Sequence, residues 1–234
     1  MNRQTTGQII GHIAEVLRGQ AQPYTRPDSY SAIAKQPVTG AVSVGSLGLD
    51  GDEQGDMRYH GGLEKAVHAY PGEHYRLWRR ELGPLPVLAY AGAFGENLST
   101  RGVNEHRLCI NDHIRIGSVE LEISQGRQPC WKLNDRFELS DMSRRVQYTL
   151  RTGWYFRILR AGELQTGDCI ELLARPWPEW PLARIMTSMF AHIIDRRELS
   201  ALLDIPLEPR WRETIEQRLN SGKVEDWCRR LDGP

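Results

Sequence analysis

The stretch His113-Ile114-Arg115-Ile116-Gly117-Ser118-Val119-Glu120-Leu121-Glu122-Ile123 decides the fold class. Ile114 and Ile116 alternate with His113 and Arg115. After Gly117-Ser118, Val119, Leu121 and Ile123 alternate with Glu120 and Glu122. A period of two puts the apolar side chains on one face of a sheet, and glycine supplies the positive φ of a two-residue turn. The stretch predicts a β-hairpin with one buried face. Working outward, Gln8 to Ile13, Ala32 to Val38 and Lys65 to Tyr70 read as earlier strands. Trp154 to Leu159 and Gly167 to Leu173 read as later ones, and the Gly/Asp-dense stretch Gly45 to Gly62 as a loop. Two helices interrupt them. Pro71 to Leu82 carries Tyr75, Trp78 and Leu82 on one face and stops at Gly83-Pro84. Met142, Val146 and Leu150 mark the second at i, i+4 and i+8, with Ser140 placed to cap it. The fold class is mixed and β-rich.

The character changes after Ala174. Arg175-Pro176-Trp177-Pro178-Glu179-Trp180-Pro181 has three prolines in seven residues and reads as a stiff connector, with Trp177 and Trp180 placed to pack within the chain or at a homodimer interface. Beyond it lie three apolar stripes at helical spacing: Leu182, Ile185, Met186, Met189, Phe190 and Ile193; then Leu199, Leu202 and Leu203; then Trp211, Ile215 and Leu219. The expected division is a domain over 1–175 and a small three-helix C-terminal domain over 182–234, too short to build its own core and so docked on the sheet.

Composition excludes several function classes. The 234 residues are 40% apolar and 26% charged, enough for a real core. Thirty basic side chains balance thirty acidic ones, which argues against non-specific binding to nucleic acid or a membrane surface. Cys109, Cys130, Cys169 and Cys228 form no C-x-x-C pair, so neither a zinc ribbon nor a redox dithiol is expected. Met1 to Thr6 is polar and no apolar run has the length of a membrane span, so the expected location is cytoplasmic with reduced thiols.

One loop stands out as a place for chemistry: Ser124-Gln125-Gly126-Arg127-Gln128-Pro129-Cys130-Trp131-Lys132-Leu133-Asn134. It starts where the hairpin ends, so a rigid scaffold presents Cys130, and Arg127 and Lys132 favour the thiolate that ligates metals or attacks electrophiles. Cys109, Cys169 and Cys228, inside strand or helix patterns, read as small buried apolar residues. A second loop, Met57-Arg58-Tyr59-His60-Gly61-Gly62-Leu63-Glu64-Lys65, pairs glycines with Arg58 and Lys65 in a pattern suited to an anion, or equally to a plain turn. It matches neither a Walker loop nor G-x-G-x-x-G. A third, Phe94 to Thr100, offers Glu96 and Asn97 to a heterocycle edge or to its own turn. His68 and His74 lack metal-ligand spacing with His60 and read as structural.

Together these segments resemble a known family. His60-Gly61-Gly62 with Lys65-Ala66-Val67, then Gly95-Glu96-Asn97-Leu98, Pro129-Cys130 and Gly167-Asp168, in this order, resemble a MOSC domain. Gly48 to Gln54, Gly95 to Thr100, Pro129 to Asn134 and Ser221 to Asp226 are similar to the bacterial YiiM proteins, over nearly the whole chain. The resemblance implies a MOSC-type β-barrel-like domain followed by a three-helix tail. It also implies a pyranopterin molybdenum cofactor ligated by Cys130, and reduction of N-hydroxylated bases such as 6-hydroxylaminopurine to the amine. A pyridoxal phosphate label attaches to the family as well. Arg58, His60, Gly61, Gly62, Lys65, Glu96, Asn97, Arg127, Lys132 and Asn134 are the residues expected around that cofactor. With no flavin or nicotinamide fingerprint in the chain, electrons are expected from a separate NAD(P)H-dependent flavin reductase. Two other readings use the same thiol. In one, Cys130 is a carrier of persulfide sulfur or of the cofactor; in the other, Cys130 and His60 form a metal-free hydrolase or transferase pair.

Overall fold

The computed structural model describes residues 7–234, apart from the side chains at positions 58 and 59. Eight strands form the main sheet: β1 Gln8–Arg18, β2 Gln36–Pro37, β3 Val67–Pro71, β4 Leu98–Arg101, β5 His113–Ile116, β6 Val119–Gly126, β7 Trp154–Arg160 and β8 Cys169–Ala174. Their order is β8-β5-β6-β7-β3-β4-β1-β2, and β8 pairs back onto β1, so seven strands close a barrel with β2 appended at its rim. Closure removes the exposed edges that an open sheet of this size would carry. Every pairing in the ring is antiparallel except β3 with β4.

The hairpin forms as its alternation requires. Val119 pairs with Ile116 and Leu121 with Ile114, Gly117 turns at φ +58°, and Ile114, Ile116, Val119, Leu121 and Ile123 are all fully buried. The β1 pattern continues past Ile13 to Arg18 through two register shifts, one between Ile9 and Gly11 and one between Ile13 and Glu15. The stretch from Ala32 to Val38 is not a continuous strand. Only Gln36–Pro37 pairs as strand, with the Val38 amide just beyond it donating to the Val16 carbonyl at 2.9 Å, and Ala32 and Ile33 are buried in a segment that wraps the barrel instead. The glycine-dense loop contains a two-residue strand, Gly48–Leu49, and the short helix α1 Met57–His60.

Helix α2 Gly72–Leu82 ends at Gly83 with φ +81°, as its sequence predicts. Helix α3 Lys132–Phe137 follows the cysteine loop, and α4 Met142–Thr149 follows it in turn. Asp141, not Ser140, is the N-cap of α4, and its carboxylate is taken by Arg145 at 2.9 Å instead of capping the backbone. Beyond the prolines come α5 Leu182–Met189, α6 Arg196–Leu202, α7 Pro209–Ser221 and a further short helix, α8 Cys228–Leu231. Asp195 caps α6 through two backbone amides, Glu208 caps α7 with Pro209 behind it, and Gly222 closes α7 in the left-handed region.

The connector is packed, not free. Trp180 is buried within the chain, Trp177 rests against the same core, and Arg175 grips Asp112 with two hydrogen bonds. One continuous apolar core runs from the barrel interior through Trp180 to Met186, Leu202, Trp211 and Ile215. A second cluster around Tyr70, Trp78, Phe94 and Phe137 fills the space under α2, α3 and α4. Cys109 is buried as expected; Cys169 and Cys228 are exposed, because each starts its element at the surface. Among the described residues, no helix is long and apolar enough to cross a membrane.

Candidate functional site

The β6–β7 ladder runs as far as Gly126 opposite Trp154, and beyond it the Arg127 amide still donates to the Gly153 carbonyl at 3.1 Å. From that fixed point the chain turns through Gln128 and Pro129 to Cys130 and enters α3. Ser124 draws the histidine loop to the same place. Its hydroxyl donates to the Glu64 carbonyl at 2.6 Å, and the Gln125 amide reaches the same oxygen at 3.4 Å. As a result Cys130 Sγ lies 3.8 Å from His60 Nε2, across 70 residues of sequence.

Both groups open on a cleft of about 550 Å³, measured out to its open mouth. Lys65, Arg127 and Lys132, three of the cations expected around a cofactor, line it with Cys130 and His60. Lys35, His68 and Tyr155 line it as well, and the sequence reading missed all three. His68 is there because it pairs directly with Tyr155 between β3 and β7. A single histidine in an otherwise apolar strand next to the His-Gly-Gly loop was the available signal. Lys35 carries no such signal, since it arrives from the wrapping segment and is placed by a buried ion pair with Asp52.

Burial sets the electrostatics. The His60 imidazole is pushed down to about 3 by burial, with Lys132, Arg127 and Lys65 adding to the effect, and it is neutral at physiological pH. His68 is likewise pushed down to about 3, by burial and by Arg127. Burial lowers the Lys65 ammonium, with Glu208 of the tail opposing it, and lowers Lys35 against the opposing charge of Asp52. Arg127 is only 4% exposed, and its Nη1 has no hydrogen-bond partner among the described residues. A buried guanidinium nitrogen left unpaired costs of order 1–3 kcal/mol, which an anion in the cleft would offset.

Other expected residues lie elsewhere or are committed to the scaffold. Glu96 is fully buried behind the cleft, where its carboxylate accepts from Tyr75 Oη at 2.5 Å, Gly92 N at 2.8 Å and Phe94 N at 3.1 Å. Asn134 faces away and ties the Leu231 carbonyl to the Ser143 amide. Asn97 borders the cleft, but its amide is spent on the His68 N–H and on Leu17 and Asp52. Lys132 reaches the cleft while donating to the Tyr30 carbonyl at 2.6 Å. Gly61 and Gly62 sit off the described wall, where Gly62 at φ +94° opens the turn that carries Lys65. The Arg58 side chain lies outside the described residues. Among the described residues, no group of three or more His, Cys, Asp or Glu could hold a metal ion unaided.

Comparison with known proteins fits this geometry. Residues 56–171 match the MOSC domain, and residues 180–222 match the YiiM-like, 3-alpha helix domain. Protein YiiM of Escherichia coli (strain K12) is 37% identical over 214 residues, spanning 92% of this chain and 94% of that protein. A protein named Reductase from Gibberella moniliformis (strain M3125 / FGSC 7600) is 38% identical over 82% of this chain, which spans only 34% of that longer protein. The crystal structure of YiiM from Escherichia coli superposes with a TM-score of 0.80 at 31% identity, over 95% of this chain and 99% of that one. A barrel that presents one cysteine beside a neutral histidine, the helical tail packed beneath it and full-length similarity agree, and the chain belongs to the MOSC-domain proteins of the YiiM type.

Proposed function

We propose that the protein is a molybdenum-cofactor-dependent oxidoreductase that reduces N-hydroxylated bases, or related N-hydroxylated compounds, to the amine. The observation that carries this reading is a thiol, Cys130, on the wall of a cleft that also holds a buried guanidinium nitrogen with no partner among the described residues. The residues fit the cofactor. Cys130 supplies the thiolate that molybdenum accepts from a protein. Arg127 and Lys132 of the cysteine loop, with Lys35 and Lys65 from two further segments, offer the cationic surroundings that a pterin's phosphate needs.

When bound, the group supplies two-electron oxygen-transfer chemistry at a metal. The net change takes R–NHOH, two electrons and two protons to R–NH2 and water. Cys130 would hold the metal, and Arg127 and Lys65 would hold the cofactor's anionic tail. His60 stands as a neutral hydrogen-bonding group at the sulfur. A histidine held near 3 is too weak a base to deprotonate a thiol at neutral pH, which argues against the Cys130–His60 hydrolase reading. The electrons come from a separate NAD(P)H-dependent flavin reductase, a proposal supported by the lack of a nucleotide-binding fingerprint in the sequence.

The test is metal and pterin analysis of protein made in cells that synthesise the cofactor, wild type beside Cys130→Ala. The expected result is near-stoichiometric molybdenum in the wild type and its loss in the variant, with hydroxylaminopurine reduced only by the loaded protein. Absence of molybdenum from both, with transferable sulfur on Cys130, would replace this reading with that of a sulfur carrier.

A further inference from the structure

The last twelve residues run back from the tail to the cysteine loop, beyond the stretch that matches the 3-alpha helix domain. Two anchors hold them. Arg218 of α7 is 2% exposed, donates to the Ser188 and Met189 carbonyls, and pairs with Glu225, which also accepts from Trp227 Nε1 at 2.8 Å. At the far end the Leu231 carbonyl accepts from Asn134 and from the Ser143 hydroxyl, and Arg144 grips Asp232 with two hydrogen bonds.

Between the anchors lies Arg230, bonded to both neighbours of Cys130. Its Nη1 donates to the Pro129 carbonyl at 2.6 Å, and its own carbonyl accepts from the Trp131 amide at 2.8 Å. Its Nη2 donates to Gln147 Oε1 at 2.7 Å, which fixes the plane of the guanidinium. We propose that Arg230 is the positioning residue for Cys130: it clamps the peptide groups on either side of the cysteine and so aims the thiol into the cleft. Two bonded points, one before and one after a residue, fix its Cα–Cβ direction in a way that one cannot. A charged donor on a carbonyl is also stronger than a neutral one, which suits a loop with no sheet to hold it. The role of this clamp in turnover rests on Cys130 being the centre proposed above; the clamp itself is a property of the loop.

The experiment therefore reads the loop directly. Metal-free full-length protein is treated with iodoacetamide at one fixed pH, and modification of Cys130, Cys169 and Cys228 is followed separately by peptide mass spectrometry. Wild type is compared with Arg230→Met, which keeps the stem but not the donors, and with Arg230→Lys, which keeps one charged donor for the Pro129 carbonyl. Losing a charged hydrogen bond should speed Cys130 modification about tenfold in Arg230→Met. Cys169 should be unchanged, and Arg230→Lys should return the rate most of the way to wild type. A Cys130 rate in Arg230→Met close to wild type overturns the proposal, as does an Arg230→Lys rate no slower than that of Arg230→Met. If Arg230→Met does not fold, Gln147→Leu carries the test by freeing the guanidinium plane: faster Cys130 modification is expected, and an unchanged rate overturns the proposal. Because no cofactor is involved, failure here leaves the molybdenum reading standing, and failure of that reading leaves this result intact.

Discussion

Gly153 shows how much of the site hangs on one residue without a side chain. Its φ is +71°, and a Cβ there would overlap the Ala69 carbonyl oxygen and lie 2.9 Å from His68 Nε2. Its N–H donates to Glu105 at 2.7 Å, and its carbonyl accepts from Arg127, so it sets where the cysteine loop leaves the barrel. Gly153→Ala should destabilise the protein by about 3 kcal/mol or more, since backbone strain and a clash with a backbone atom add together. Gly126→Ala should cost less, about 1–2 kcal/mol, because the new methyl meets the pliable Met186 side chain. Urea denaturation of both variants checks the order, and equal losses would contradict it. Glycine effects of this kind cannot be read from sequence, and neither can the fate of polar loop residues. Cys130, Arg127, His60 and Lys65 were legible because two short glycine- and proline-bearing loops set cations beside a thiol and an imidazole in the sequence itself. Glu96 and Asn134 looked equally available, yet amides and hydroxyls brought by the fold consume their acceptors. Lys35 was invisible for the opposite reason, since its place depends on Asp52 in a different loop.

Among the elements, the C-terminal segment has a built-in acid sensitivity. Burial alone would raise the Glu225 carboxyl, but hydrogen bonds from Arg218 and Trp227 outweigh it and hold the group below the ordinary carboxylate range. A folded-state value depressed below the unfolded one contributes stability that is fully present above the unfolded value, about 4.3, and is lost as pH falls through the folded value. Acidification below about 4 should therefore loosen residues 223–234 before the barrel opens, and Glu225→Gln should abolish that early step. Hydrogen exchange by residue segment measures it, and matching profiles for wild type and variant down to pH 3 would refute it. This segment was also the least legible element. Strict alternation announced the β5–β6 hairpin and glycine announced the end of α2. Cys228 to Leu231, a four-residue helix, has too few turns to show a period, and what orders it is the loop it covers.

At the scale of the whole molecule, tail and barrel share one core. Met186 and Trp211 press on Gly126, the last residue of β6, and the Thr152 hydroxyl beside Gly153 lies 3.0 Å from Met186 Sδ. Removing the tail would uncover Trp180 and the side of the barrel from which the cysteine loop departs, while the tail alone is too small to bury its own stripes. The two parts should therefore melt together in spite of a chain length at which separate transitions are common. Scanning calorimetry of the intact protein should show one transition with equal calorimetric and van't Hoff enthalpies, on the order of 160 kcal/mol near 60 °C for 234 residues. A fragment ending at Ala174 should be recovered as aggregate, because the apolar surface it exposes has no other cover. Two resolved transitions, or a monomeric fragment with the near-UV dichroism of a packed barrel, would show that the tail is an independent passenger. A single transition would instead explain why a cysteine loop on the barrel is built with residues from the far end of the chain: barrel, tail and C-terminal segment fold as one unit, so the clamp on Cys130 exists whenever the cleft does.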